Sequence, residues 1–370
     1  MLPLLPQLAP LERLLNRAAS EVQLLATLAP IDARVERERL TGELRSGRTA
    51  QPRWRYAPVA HEDLRRALDV AERALDVAGP QTPLLLAHLA RIRELSIEAA
   101  LCAAAGTPAV AALARLRFAP LEARCEREAR ALCAQWLAEP PEAGEGPSIA
   151  SDDPDPRSLL SRLRAEVGRR RLPFAVIVAP SLAPLAATGD QVILVARARP
   201  MTLEDVARTV VHEVEGHAVP RARARGAPIA LFRVGTARGV DEQEGLALVI
   251  EERHGHLGAR RRRVLAARHR AVEAMGDGAT FADVATALVR DQGLCAADAV
   301  LIAERVFRGG DGAGHGLGRE RVYLESFVRV GAHLRARPDD EAVLTAGQVA
   351  IDAISALAPW VAPSSRAVHE

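Results

Sequence analysis

Apolar and polar positions alternate along most of this chain with helical rather than strand periodicity. Leu11, Leu14, Leu15 and Ala18 begin one amphipathic stripe, which ends at Pro30. Leu64, Ala67, Leu68, Ala71 and Leu75 make a second, broken at Gly79-Pro80. Two long Ala/Leu-rich patterns follow, from Pro83 to Ala105 and from Val110 to Ala138, and residues 257 to 358 read as helices again. The pattern switches once. The segments PFAVIVAP and DQVILVAR are short β-branched runs separated by Ala187-Thr188-Gly189-Asp190, and they predict a hairpin. The fold class is therefore mainly α, of the α+β kind, with a small antiparallel sheet or hairpin after the helical N-terminal part. No fixed-period repeat is present.

Directly after the hairpin comes TLEDVARTVVHEVEGHAVP, Thr202 to Pro220. Thr202 is a good N-cap with Asp205 three residues on. Leu203, Val206, Ala207, Val210 and Val214 form one apolar stripe, and His212 falls on the opposite side. His212, Glu213 and His217 follow the pattern His-Glu-x-x-x-His. Two imidazoles and a carboxylate this close point to a metal site with its own base. In His-Glu-x-x-His the histidines lie four residues apart and share a helix face. Five residues at about 100° each leave the rings roughly 140° apart. One ion can be shared only if the helix gains a residue locally as a π-bulge, or unwinds at its end. Gly216 would ease that distortion, and Pro220 predicts a helix end just after His217.

A third ligand is expected downstream. In DEQEGLALVIEER, Asp241 to Arg253, the residues Leu246 to Ile250 surround the helix with apolar side chains and predict burial. Glu244 and Glu251 share one face of it, and a buried carboxylate needs a cation or a full set of hydrogen bonds. Two histidines and one glutamate form a catalytic zinc set with a position left for water.

HEVEGH and DEQEGLALVIEE together resemble the family named for its QEGLA motif. That family includes vertebrate enzymes that remove the C-terminal tyrosine of α-tubulin, and many bacterial members. The stretch Arg305 to Val330 resembles a further family block, with Arg319 where the family has lysine, and QPRWRYAPV resembles its Pro-x-x-x-Tyr segment. The resemblance implies a zincin-like metallopeptidase domain and Zn2+ held by His212, His217 and Glu244, with Glu213 as base. The expected activity is peptide-bond hydrolysis by a Glu-activated zinc-bound water, in a carboxypeptidase whose substrate is a peptide or protein C-terminus. The alternative is a metal-binding regulatory protein of the same family without peptidase turnover.

Other positions fill out this picture. Tyr323 is the candidate oxyanion donor, and Arg308 and Arg319 are candidates for a substrate carboxylate. The glycine-rich loop Gly309 to Gly318 lacks the phosphate-cradle signature and reads as a mobile cleft border carrying His315. Tyr56, close after Trp54, reads as a packing corner or as part of the cleft wall. The run Arg260 to Arg263 reads as a solvated helix face, and with a net charge of +2 no nucleic-acid partner is expected. The 370 residues are 49% hydrophobic and 26% charged, which suits a globular core. The Ala/Arg-rich composition suits a bacterial chain from a GC-rich genome. The apolar start, MLPLLPQLAP, is too short for a membrane span, so a cytoplasmic protein with no membrane association is expected. The four cysteines form no Cys-x-x-Cys pair. Glu139 to Pro156, with five prolines, predicts a linker between a helical region (1–138) and a catalytic region (157–370).

Overall fold

The computed structural model describes residues 5–77, 82–120, 122–140 and 147–361. Among the described residues helices dominate, with five short strands. The chain divides into two compact units. One comprises Met1–Leu137 and Val264–Leu324, and the other Ala138–Arg263 and Glu325–Glu370. Of the expected linker, residues 141–146 lie outside the described residues. The part after them is ordered into a strand, Ser148–Ala150.

The first unit is built from helices, among them Pro83–Ala103, Ala109–Phe118, Phe281–Arg290 and Ala296–Val306. One of its cores joins Leu40 and Ala50 to Val272, Met275, Phe281, Val300 and Phe307. Trp54 packs edge-on against Phe281 at 5.4 Å between ring centroids, and the Tyr56 hydroxyl donates to the Gly310 carbonyl at 2.7 Å. The aromatic pair is thus a packing corner. The glycine-rich loop differs from the mobile border expected of it. It is tied by Gly106 N–H to the Gly309 carbonyl (2.7 Å) and Phe281 N–H to the Gly312 carbonyl (2.9 Å). A Cβ on Gly316 would lie 2.4 Å from the Phe307 Cα, so the close approach of two backbones demands glycine there.

In the second unit, β1 (Ser148–Ala150) pairs antiparallel with β5 (Pro200–Thr202). The other strands are β2 (Ala175–Ala179), β3 (Ala186–Thr188) and β4 (Val192–Ala196), in the order β2-β4-β3. The turn signal at 187–190 does make a hairpin, but its arms are β3 and β4. The run PFAVIVAP, expected to be the hairpin's first arm, forms β2 and joins β4 in parallel. The dozen residues between them give the chain room to return to the same end of the sheet.

The helix that begins at Leu203 is capped as expected: Thr202 Oγ1 accepts from Asp205 N at 3.1 Å. Val206, Val210 and Val214 enter a core with Leu159, Leu163, Phe174, Val176, Ile193 and Val195. Leu203, placed in that stripe by periodicity, is 46% exposed, because it lies in the first turn beyond the core's edge. Among the described residues no helix is long and apolar enough to cross a membrane.

Candidate metal centre

The α-helix Leu203–Val211 passes without a break into a π-helix, His212–Ala218, and then back into an α-helix, Val219–Ala224. The Val219 N–H bonds to the Val214 carbonyl five residues back, so each π turn holds an extra residue. That extra residue brings His217 round to the side of His212. The helix does not end at Pro220, as expected from sequence. Pro220 lies in the first turn of the renewed α-helix, where its missing N–H is tolerated. Gly216 also has a different reason from the one inferred. Its φ is not in the left-handed region, but a Cβ there would lie 2.5 Å from the Ala247 Cβ. The glycine lets the helix Gly239–Arg253 approach the π-turn closely. Gly245 does the same on that helix's other side, where a Cβ would meet the Ser326 backbone at 2.4 Å. Substituting Gly216 by Ala is expected to lower stability by about 1–3 kcal/mol through overpacking, measured as a shift in the urea midpoint. Adding Ala247→Gly to that variant should recover most of the loss.

This approach puts Glu244 opposite the two imidazoles. His212 Nε2 and His217 Nε2 are 3.2 Å apart, and Glu244 Oε2 lies 3.5 Å from the first and 3.7 Å from the second. Four ligands about 2.0–2.1 Å from a tetrahedral ion are separated from one another by about 3.4 Å. The three atoms therefore have the spacing of one face of such a site. Among the described residues, His212, His217 and Glu244 are the group of histidines and carboxylates close enough to hold a metal ion. Their side chains keep 11%, 12% and 13% exposure, so water can reach a centre that is otherwise enclosed.

Each imidazole is oriented by a partner on its far nitrogen. His212 Nδ1 donates to Glu251 Oε1 at 2.7 Å, and Glu251 is fully buried. Arg261 grips the same carboxylate with Nε at 3.0 Å from Oε2 and Nη2 at 2.9 Å from Oε1. A carboxylate held this way can only accept, so Nδ1 carries the hydrogen and Nε2 presents its lone pair. His217 Nδ1 lies 3.2 Å from the Gln243 amide oxygen, which also accepts from Gln348 Nε2 at 3.3 Å. Both Nε2 atoms thus face the glutamate.

The electrostatics suit a cation. Burial pulls the His212 imidazolium down, but Glu244 and Glu251 outweigh it and raise its pKa to about 9. His217 is pushed below its ordinary value by burial and by His212, against the pull of Glu244. Glu251 is buried, which would raise it. Arg261, His212 and Arg208 reverse that and hold it far below the usual carboxylate range.

Glu213 is buried next to His212 and points its carboxylate at β3. Thr188 Oγ1 donates to Glu213 Oε2 at 2.7 Å. Arg221, one turn beyond His217, is coupled through space to Asp190, Glu213 and Glu244, although burial lowers its pKa.

The remaining predicted residues gather in the first unit. Tyr323 is buried, and its hydroxyl accepts from Arg305 Nη2 at 3.1 Å. The guanidinium carbons of Arg268, Arg305 and Arg319 lie 5.3, 5.8 and 5.9 Å from its ring centroid. Glu320 Oε1 accepts from Arg305 Nε at 2.9 Å. Burial and Arg305 lower Arg308, while Glu320 and Glu304 support its charge. Tyr323, Arg308 and Arg319 therefore belong to one cationic cluster. His315 Nε2 lies 3.6 Å from Asp311 Oδ1 of its own loop.

Sequence reading missed Thr188, Gln243 and Arg261. Gln243 stands beside a ligand, and Arg261 lies in the four-arginine run. That run is a solvated face only in part, with Arg260 exposed and the other three arginines half-buried. Besides Arg261 on Glu251, Arg262 binds Glu139 Oε2 at 2.9 and 2.7 Å, and Arg260 is 3.5 Å from Asp205.

The sequence matches the family described as microtubule-associated tyrosine carboxypeptidase over residues 44–363. No curated protein matches it. With nearly the whole chain covered, including both helices of the metal centre, the protein belongs to the microtubule-associated tyrosine carboxypeptidase family.

Proposed function

We propose that this chain is a zinc-dependent metallopeptidase of the carboxypeptidase type. One observation carries the reading: three ligand atoms with tetrahedral spacing, beside a buried glutamate that is not part of the set. His212, His217 and Glu244 would hold the ion. A zinc ion held there would supply Lewis acidity and make water more acidic, toward a pKa of about 7.

The chain's own groups do the rest. Glu213 takes a proton from the attacking water and returns it to the leaving amine. Its Oε2 accepts from Thr188, and Oε1, which makes no hydrogen bond among the described residues, is the oxygen assigned to the proton. Glu251, braced by Arg261, keeps the His212 Nδ1–H in place through the cycle. Tyr323 is the proposed oxyanion donor, and Arg308 and Arg319 are the proposed partners of a C-terminal carboxylate. The density of guanidinium groups around Tyr323 suits an anion. The family's description supports a substrate with a free protein or peptide C-terminus.

The test uses peptides with a free carboxylate, tyrosine-ended ones included, and the same peptides amidated. Release of one C-terminal residue from the free forms alone, abolished by a chelator and restored by zinc, is the expected result. Purified protein that binds zinc yet releases nothing would establish the metal-binding role without turnover instead. Glu213 weighs against that role, because holding a metal has no use for an additional buried carboxylate beside it.

A further inference from the structure

We propose that Thr188 is the positioning residue for Glu213, aiming its carboxylate so that one oxygen is fixed and the other is left for the proton. The inference rests on the reading of Glu213 as the base. Thr188 is the last residue of β3, an edge strand, and its backbone is pinned. It stands opposite Ile193 in the β3–β4 pairing, and the turn behind it is closed by Gly189 N–H to the Val192 carbonyl at 2.7 Å. Arg225 Nη2 donates to the Asp190 carbonyl at 2.9 Å and ties the turn to the end of the ligand helix.

From this fixed point the Thr188 hydroxyl reaches Glu213 Oε2 at 2.7 Å, and it also lies 3.3 Å from the Glu213 carbonyl oxygen. A hydroxyl has one hydrogen, and the shorter distance shows where it goes. Among the described residues the Glu213 carboxylate has no other hydrogen-bond partner. A glutamate side chain has three rotatable bonds, so without this contact no hydrogen bond would set its direction. Nothing else about the position calls for a hydroxyl. A β-branched residue suits an edge strand, and valine would have the same outline.

The test compares Thr188→Val, Thr188→Ser and Glu213→Gln in zinc-loaded full-length protein. Thr188→Val is expected to lower kcat by about 10- to 100-fold, as a displaced catalytic group does, with KM little changed. Thr188→Ser, which keeps the hydroxyl, should restore most of kcat. Adding Thr188→Val to Glu213→Gln should cost nothing further, since the group being aimed is already gone. Zinc content should be unaffected, and a crystal structure of Thr188→Val should show the Glu213 carboxylate turned away from its wild-type direction.

The inference is overturned if Thr188→Val keeps full kcat while Glu213→Gln is inactive. It is also overturned if Thr188→Ser loses as much as Thr188→Val, or if Thr188→Val loses zinc, since either result would show a structural role. A fully active Glu213→Gln would instead overturn the assignment of the base, a distinct outcome.

Discussion

Glu213→Gln is expected to reduce peptide hydrolysis by about 10²- to 10⁴-fold, the usual contribution of a placed general acid/base. The substitution keeps the side chain's size and its ability to accept from Thr188, but the amide can neither take nor return a proton. The metal set itself is untouched, because Glu213 is not among the atoms that face one another. Zinc stoichiometry by elemental analysis should therefore equal that of the wild type, and peptide binding should persist. Loss of turnover with loss of zinc would show that Glu213 supports the site structurally. Full turnover would remove the proposed mechanism. The contrast with Glu244→Ala is informative: that variant deletes a ligand atom and should lose zinc and turnover together.

The part of this site that the sequence made legible is the part set by spacing along one helix. Histidines five positions apart can serve one ion only with an extra residue in the turn, and the π-helix His212–Ala218 supplies it. The apolar face of the same helix was readable for the same reason, except at Leu203. What stayed hidden depends on contacts between distant segments. Gly216 looks like a hinge in sequence, yet it serves as a contact point because Ala247 lies against it. Thr188 looks like turn punctuation, and its role appears only once β3 pairs on the free side of β4. Pro220 misleads because the rule for ending a helix assumes the helix is α throughout. Arg261 is indistinguishable from its three neighbours until the buried Glu251 is placed beside it.

Glu251→Leu is expected to damage both stability and metal affinity, and the two losses have different causes. In the folded chain Glu251 is fully buried and accepts from His212 Nδ1 and from two nitrogens of Arg261, with Arg208 also drawing on its charge. Removing one side of such a buried pair leaves guanidinium groups without their counter-charge, which typically costs about 3–5 kcal/mol. The measure is the free energy of unfolding in urea. Loss of the acceptor on Nδ1 also frees the His212 ring to rotate and to change tautomer, and such partners are typically worth about 10- to 100-fold in metal affinity. Competition with a chromogenic chelator reads that term directly in the fraction that remains folded. Glu251→Gln separates the two effects, because the amide oxygen still accepts from Nδ1 while the charge is gone. It should bind zinc more tightly than Glu251→Leu while remaining less stable than the wild type. Wild-type zinc affinity in Glu251→Leu would show that the His212 ring is held by packing alone.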